Sequence, residues 1–316
     1  MILTIILFSL GLLLIVKGGD YFIDSSIHVA RISNLPEILI GATIVSLATT
    51  APEAIVSITA SLKNYTQMSV GNSIGSIICN TGLVLGVSNF IRPSKVKGNF
   101  TKLKSLMLII FFSIFLIISN DRIINHSDAL ILLVLLSIYI LFDLLVIEYK
   151  KSSPINNTRV CYYKNDYIKI IFFFIIGIIG IFLGSNLLIN NGIIIAKFIG
   201  VPEAVISLTL IALGTSLPEL TTALTALKKG HSSLSVGNII GANILNISLV
   251  LGASGFLNNL EISNQNIYLD FPVAFIMIII LSLSCILRGK INKIVGFVLF
   301  FIYLSYLIML YYTYMI

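Results

Sequence analysis

The sequence predicts an all-α polytopic membrane protein whose ten transmembrane helices form two inverted-topology repeats of five helices each. Three observations lead to this fold class. The 316 residues are 57% hydrophobic and only 10% charged, whereas a soluble domain carries about 25% charged residues. The apolar stretches are continuous, not alternating as in a β-barrel, and the two halves of the chain repeat one motif. This composition excludes a soluble enzyme, a disordered tail and a nucleic-acid-binding protein.

Apolar windows place ten helices along the chain, since crossing the hydrocarbon core takes roughly 20 residues. In chain order they are 2–17, 37–61, 68–90, 104–119, 127–147, 168–190, 203–227, 233–256, 269–287 and 291–313. The first window has no preceding positive charge and no cleavage site, so we interpret it as a retained helix. The predicted domains are a first five-helix repeat at 1–147, a cytoplasmic linker at 148–167 and a second repeat at 168–316.

The basic residues predict the orientation of these helices. With the N-terminus outside, the inside connections hold 17 of the 20 lysines and arginines, and the outside connections hold only Lys63, Arg122 and Lys197. Cytoplasmic connections carry such an excess of basic residues. We therefore expect a multi-pass protein of the plasma (inner) membrane with both termini outside, and the net charge of +7 reflects topology, not an acidic partner.

An internal repeat becomes visible when the chain is shifted by 166 residues. The residues of the first half then match the second half at 23 of 51 positions without a gap. The matched ranges are 36–86 and 202–252, including TTAPE at 49–53 against TSLPE at 215–219 and SVGN at 69–72 and 235–238. Because each half holds five helices, the second copy enters the membrane in the opposite orientation. Transporters of this architecture have substrate sites near the midplane, on broken helices.

Two acids lie at mid-membrane depth. Glu53 and Glu219 occupy equivalent positions of the repeat, whereas the other acids lie in connections or near helix ends. An ionisable residue at that depth costs about 2.5–3.5 kcal/mol on insertion scales and indicates a functional site by default. The alternative is a structural pair that bonds its neighbours or stays protonated.

Oxygen donors surround both acids. Hydroxyl residues three and four positions before each acid share its helix face; they are Thr49, Thr50, Thr215 and Ser216. Pro52 and Pro218 have no N–H to donate to the carbonyl four residues earlier, so that carbonyl is free. We expect the hydrogen bonds of nearby carbonyls, such as those of Ser46 and Ala212, to be loosened as well. Carboxylate, hydroxyl and carbonyl oxygens without a thiolate or imidazole cluster are ligands for hard cations such as Ca²⁺ and Na⁺.

The third and eighth predicted helices add amides to these oxygens. On one face of the third helix a polar residue recurs every four positions, in the series Asn72, Ser76, Asn80. The eighth helix has the series Asn238, Ala242, Asn246, in which alanine takes the middle position. Gly-x-x-x-Gly pairs that begin at Gly71 and Gly237 permit close helix approach. The alternative role, polar groups that join helices, suits Asn72 and Asn238 better than the deeper Asn80 and Asn246.

With these motifs the chain resembles the Ca²⁺/cation antiporter superfamily, in particular its prokaryotic sodium/calcium exchanger branch. That family carries GTS-x-PE on helices two and seven and G-N-x-x-G-S-N-x-x-[ND] on helices three and eight. The resemblance covers the whole chain, and it implies alternate binding of Ca²⁺ and Na⁺ with helices one and six sliding to alternate access. The implied ligands are Glu53, Thr49, Thr50, Glu219, Thr215 and Ser216, with Ser76, Asn80 and Asn246 beside them and carbonyls near Ser46 and Ala212.

The chain departs from the family pattern at several positions. Ala48 and Thr50 stand in place of Gly and Ser, Ile77 in place of Asn, Ala242 in place of Ser, and Asn246 where many members have Asp. The expected site is therefore poorer in oxygen and charge than the full family pattern. This leaves the sodium stoichiometry and the counter-ion open.

Two carboxylates repel each other in an empty low-dielectric site, so we expect the site to change its access only with cations bound. We therefore expect Ca²⁺ export driven by Na⁺ entry. A Ca²⁺/H⁺ exchanger or a K⁺-dependent cation exchanger of the same fold is the alternative. Besides the transported ions and membrane lipid, we expect no cofactor, nucleic acid or obligate protein partner. An intramembrane enzyme is disfavoured because no H-E-x-x-H or Ser/His constellation occurs. A passive channel is disfavoured because inverted repeats with broken helices suit alternating access better.

Overall fold

The structure, a computed structural model, describes residues 2–33, 35, 37–96, 98–152, 164–198 and 216–315. This part of the chain contains ten helices, of which nine are long and apolar enough to cross a membrane. The helices are α1 (Ile2–Ile32), α2 (Glu37–Leu62), α3 (Thr66–Ile91), α4 (Asn99–Ile118), α5 (His126–Ser152), α6 (Lys164–Phe198), α7 (Leu217–Lys228), α8 (Ser232–Leu257), α9 (Asn266–Arg288) and α10 (Lys293–Met315). The first part of the predicted helix 203–227 lies outside the described residues.

Helices α1 and α6 are longer than their apolar windows predict. The windows end at residues 17 and 190, whereas α1 ends at Ile32 and α6 at Phe198. A helix satisfies its own backbone and can continue where its side chains are polar. The polar end of α1 also gains partners, because Lys229 Nζ lies 2.8 Å from Asp24 Oδ1 and 3.3 Å from Asp20 Oδ1.

The predicted linker 148–167 contains helical residues at both of its ends. Helix α5 continues to Ser152, and α6 already begins at Lys164. Helical residues therefore enter the linker from both ends. The division into two repeats and a cytoplasmic linker stays a prediction.

Helices α1 and α6 pack with their backbones in contact. A Cβ atom at Gly177 would lie 2.6 Å from Phe22 N, and one at Gly18 would lie 2.8 Å from Ile181 N. Small residues permit this close approach of two helices in a membrane. The contact makes α1 and α6 a closely associated pair at one side of the remaining helices.

Within the described residues four helices contain π-helical turns, each of which inserts one extra residue and often lies at a functional site. The turns are Gly41–Val45 in α2, Asn80–Leu85 in α3, Asn246–Val250 in α8, and Asn266–Asp270 and Ser284–Arg288 in α9. The turns of α3 and α8 begin at equivalent positions of the repeat. Helix α2 stays helical through Pro52. The expectation of a broken helix is therefore wrong for α2, whose π turn changes the register without interrupting the helix.

In the part of the chain that the structure describes, four two-residue strands modify the all-helical prediction. Strand β1 (Ser94–Lys95) pairs antiparallel with β4 (Lys290–Ile291), and β2 (Ile123–Ile124) pairs with β3 (Leu260–Glu261). Each ladder joins two connections that lie on the same side when successive helices alternate in direction. The ladders therefore agree with the predicted alternation of the helices.

Helix α8 lies at the centre of the molecule. Of its apolar window, 94% is buried, the largest share among the described membrane-length helices. The surrounding core includes buried side chains of α3, α4 and α9, among them Ile74, Phe112 and Met277. The fold thus encloses the polar residues of α8 within protein and away from lipid.

Candidate cation site

Close packing of α2 on α8 positions the first half of the site. A Cβ atom at Gly237 would lie 2.3 Å from the Ile38 carbonyl oxygen, and one at Gly241 would lie 2.6 Å from Ser46 Oγ. The glycines of α8 therefore allow the close approach that their spacing predicts. Among the described residues a Cβ atom at Gly71 would meet nothing within 4 Å, so the same role in the first repeat stays a prediction.

The two mid-membrane acids are brought together. Glu53 on α2 and Glu219 on α7 are both 0% exposed, and Asn238 of α8 contacts both helices, at 3.2 Å from Thr49 Oγ1 and 3.1 Å from Thr222 Oγ1. Glu219 lies in the first turn of the described part of α7, which begins after Ser216. Two like charges in a low-dielectric interior repel each other strongly, so this arrangement favours the binding of cations.

Four side chains have both terminal polar atoms buried and without a hydrogen-bond partner. Within the described residues no other side chain combines these properties, and the four are Glu53, Asn80, Glu219 and Asn246. The hydroxyl oxygens of Thr50, Ser76 and Ser216 are also buried and unpartnered. Each such group costs about 1–3 kcal/mol, and buried polar groups of native proteins are normally bonded. A set of this kind is therefore typical of a ligand site.

Two further residues of the predicted site have partners in the protein. Thr49 Oγ1 lies 3.3 Å from the Ser46 carbonyl oxygen and 3.2 Å from Asn238 Oδ1. Ser46 Oγ donates to the Thr43 carbonyl oxygen at 3.0 Å. A hydroxyl that donates its proton keeps lone pairs for a cation, so Thr49 Oγ1 stays available. The predicted ligand of Ser46 is its carbonyl oxygen, which accepts from Thr49 Oγ1 and keeps a second lone pair. Thr215 and Ala212, also predicted for this site, lie outside the described residues.

The amides of Asn72 and Asn238 join helices. Asn72 Nδ2 donates to Ser57 Oγ at 2.9 Å and to the Glu53 carbonyl oxygen at 3.3 Å. Asn238 Nδ2 donates to Thr222 Oγ1 at 3.1 Å. Each amide thus ties its helix to the neighbouring helix that carries one of the two acids. These side chains position the acids, and the unpartnered Asn80 and Asn246 lie deeper.

Four polar residues that support the site are not among the ligands predicted from the sequence. Ser73 Oγ donates to the Asn246 carbonyl oxygen at 2.8 Å, and Asn243 Nδ2 donates to Thr81 Oγ1 at 2.8 Å. Thr222 Oγ1 donates to the Glu219 carbonyl oxygen at 3.0 Å. The signal in the sequence is a polar side chain in an apolar helix, which does not reveal its hydrogen-bond partner.

The donor set suits a hard cation. It consists of carboxylate, hydroxyl, amide and carbonyl oxygens, the ligands that Ca²⁺ takes in proteins. In the part of the chain that the structure describes, no group of three or more His, Cys, Asp or Glu residues could hold a metal ion. The site therefore differs from the nitrogen and sulfur sites of transition metals.

A cavity of about 110 Å³ lies beside the site. Its wall includes Phe22 of α1, Ile181 of α6, Thr49 and Pro52 of α2, and Pro218 of α7. The α1–α6 pair therefore faces the two T-[TS]-x-P-E segments across a small space. The space is local, because α1 also packs directly on α7, where a Cβ atom at Gly19 would lie 2.9 Å from Thr221 Cγ2.

Fold and site together define a class, that of multi-pass membrane transporters of cations built from inverted repeats. The sequence model of the family described as "Sodium/calcium exchanger protein" matches residues 3–147 and 169–312. The chain therefore belongs to the sodium/calcium exchanger family, which confirms the family expected from its motifs.

Individual relatives agree with this assignment. The inner membrane protein YrbG of Escherichia coli is 31% identical over 290 residues, covering 90% of this chain and 89% of that protein. The sodium/calcium exchanger MaX1 of Methanosarcina acetivorans is 28% identical over 342 residues, covering 96% of this chain and 97% of that protein. A solved structure of the sodium-calcium exchanger NCX_Mj, soaked with Na⁺ and Sr²⁺, aligns with a TM-score of 0.84 at 32% identity over 96% of this chain and 97% of that one. The chain is thus an integral membrane cation antiporter with the inverted-repeat fold, and not an enzyme.

Proposed function

We propose that the protein exchanges Na⁺ for Ca²⁺ across the membrane by alternating access at a midplane site around Glu53 and Glu219. The observation that carries the proposal is this pair of buried, unpartnered carboxylates among unpartnered hydroxyl and amide oxygens. The relatives named as sodium/calcium exchangers support the choice of ions. The proposed ligands are Glu53, Glu219, Thr49, Thr50, Thr215, Ser216, Ser76, Asn80 and Asn246, with the carbonyls of Ser46 and Ala212.

Charge neutralisation couples the two ions. One Ca²⁺, or two or more Na⁺, balances the two carboxylates, whereas the empty site holds two repelling charges in a low-dielectric environment. Moving a site with two uncompensated carboxylate charges past the apolar residues of the α1–α6 pair costs a large free energy. Reorientation therefore takes place with cations bound, and Ca²⁺ leaves on one side when Na⁺ enters from the other.

Flux measurements in vesicles test this proposal. In vesicles loaded with Na⁺ and diluted into choline medium, we expect ⁴⁵Ca²⁺ to accumulate at fixed pH and fixed K⁺. Vesicles loaded with choline serve as the control and are expected to take up no ⁴⁵Ca²⁺ beyond the background of protein-free vesicles. Uptake that is equal with choline and Na⁺ inside would contradict Na⁺/Ca²⁺ exchange.

A Ca²⁺/H⁺ exchanger or a K⁺-dependent exchanger is the second candidate. The observation that favours it is the low charge of the site, where Asn246 supplies an amide and Ala242 supplies no side-chain oxygen. The same vesicles separate the candidates. If the second candidate is correct, a pH gradient or a K⁺ gradient drives ⁴⁵Ca²⁺ uptake in the absence of Na⁺.

We also propose that both termini lie outside the plasma (inner) membrane. The proposal rests on the basic connections, and the ladder between the connections of β1 and β4 supports it. In a Cys161→Ser background, we expect an impermeant maleimide to label Asn264→Cys on intact cells and Lys95→Cys only after permeabilisation. Both positions are exposed. The reverse pattern of labelling would invert the proposed orientation.

A further inference from the structure

One backbone carbonyl in the π turn of α2 is bypassed by the helix itself. In an α-helix the N–H of Ser46 would donate to the carbonyl of Ala42, four residues earlier. Here the Ser46 N–H donates instead to the carbonyl oxygens of Gly41 and Thr43. Ala42 is completely buried, so its carbonyl oxygen needs another donor.

Side chains of α4 and α5 supply that donor. Lys104 Nζ lies 3.4 Å from the Ala42 carbonyl oxygen, and the Tyr139 hydroxyl donates to the same oxygen. Lys104 Nζ also lies 2.7 Å from Asp143 Oδ1 and 3.3 Å from the Tyr139 hydroxyl oxygen. The side chains of Lys104 and Asp143 are 3% and 8% exposed. This is a buried ion pair whose ammonium and neighbouring hydroxyl both point at one backbone oxygen.

The π turn determines which face of α2 is directed at the cation site. One extra residue in a helix with 3.6 residues per turn rotates everything beyond it by about 100°. Thr49, Thr50 and Glu53 all lie beyond the turn. The residues before the turn are fixed separately, because Ile38 packs on Gly237 of α8. The direction of the three proposed ligands therefore depends on whether the turn keeps its π form.

The second repeat has a different residue at the position equivalent to Lys104. That position, 166 residues later, holds Asp270, whose oxygens accept hydrogen bonds from Asn266 Nδ2 at 2.8 Å and the Tyr306 hydroxyl at 3.0 Å. An ionised carboxylate has no proton to donate to a carbonyl. At this position the two repeats therefore differ, since the first repeat has a charged donor and the second a carboxylate.

We propose that Lys104, Tyr139 and Asp143 are positioning residues for cation binding. Lys104 and Tyr139 hold the Ala42 carbonyl away from the Ser46 N–H and so preserve the π turn, while Asp143 holds the Lys104 ammonium in place. Without these donors the Ser46 N–H returns to the Ala42 carbonyl, the turn becomes α-helical, and the ligands of α2 rotate away from the site. This inference rests on the proposed function, since it concerns the affinity of the same site.

Binding of ⁴⁵Ca²⁺ to the purified full-length protein in detergent tests the inference. Lys104→Met alone leaves a buried unpaired carboxylate, which costs stability, so the test uses the double variant Lys104→Met/Asp143→Asn together with Tyr139→Phe. We expect both variants to raise the half-saturating Ca²⁺ concentration about tenfold, the effect of losing one strong hydrogen bond at the site. Lys104→Arg keeps a charged donor and is expected to stay within about twofold of the wild type.

A matched control separates positioning from general stability. Phe112→Leu removes a fully buried ring that packs on Phe115 and Phe275, and we expect it to lower the thermal midpoint with Ca²⁺ affinity unchanged. Wild-type affinity in Tyr139→Phe and in the double variant would overturn the inference. If the double variant does not fold, Tyr139→Phe decides, because it removes one hydroxyl. Failure of the proposed function is distinguishable, since the wild type itself would then show no Na⁺-dependent flux.

Discussion

Replacing either Glu53 or Glu219 by glutamine is expected to abolish Na⁺-driven ⁴⁵Ca²⁺ flux. The amide keeps the shape of the side chain but removes one of the two charges that balance Ca²⁺. Removing one partner of a buried charge interaction costs about 3–5 kcal/mol, which corresponds to a loss of affinity of about 100-fold or more. The measurement is initial ⁴⁵Ca²⁺ uptake per folded protein in vesicles loaded with Na⁺.

The same chemical change at a third glutamate is the control. Glu261 lies at the end of the bundle in β3, where Gln67 Nε2 lies 3.3 Å from its Oε2 in an exposed contact. Glu261→Gln is therefore expected to retain wild-type flux. Flux that survives in Glu53→Gln or Glu219→Gln would remove that acid from the proposed site. Loss of flux in all three variants would point to a general effect of lowered negative charge.

Gly237→Ala is expected to have the largest effect on stability. The new Cβ atom would lie 2.3 Å from the Ile38 carbonyl oxygen and 3.0 Å from the Ile38 Cα atom. Because the obstacle is backbone, α2 and α8 must separate, and overpacking of this kind costs about 1–3 kcal/mol or more. Alanine gains up to about 1 kcal/mol of helix propensity over glycine, which does not offset the clash. Thermal unfolding followed by size-exclusion chromatography measures the difference.

Gly252→Ala on the same helix is the matched control. There the nearest atoms are side-chain atoms of Leu133 at 3.1 and 3.2 Å and of Leu132 at 3.3 Å, which can yield slightly. The gain in helix propensity is the same, so we expect a thermal midpoint within a few degrees of the wild type. If Gly237→Ala is as stable as Gly252→Ala, then the close contact between α2 and α8 does not hold the site together.

Much of the architecture follows from the sequence because a membrane imposes simple rules. Length and apolarity located the helices, since backbone groups in lipid must be satisfied within the helix. The 166-residue repeat and the odd number of helices per half required an inverted arrangement. Glu53 and Glu219 were recognisable because charge at mid-membrane depth is rare. The structure brings both acids together in the interior, as the repeat suggested.

Other features depend on contacts between helices that no local pattern encodes. The π turn at Gly41–Val45 exists where Lys104 and Tyr139 take the Ala42 carbonyl, and these donors come from two other helices. The polar extension of α1 depends on Lys229, more than 200 residues away in the chain. A prediction from hydrophobicity alone therefore ended α1 too early. It treated Lys104 only as one of the basic residues that set the orientation of the helices.

Competition between the two ions for one site tests the central claim most directly. The measurement is ⁴⁵Ca²⁺ bound to the purified protein in detergent as Na⁺ replaces choline at constant ionic strength and pH. If both ions use the oxygen site around Glu53 and Glu219, Na⁺ displaces Ca²⁺ completely and with a sigmoidal dependence, because two or more Na⁺ are needed to balance the two carboxylates. Bound Ca²⁺ that stays unchanged as Na⁺ replaces choline would contradict exchange at a common site.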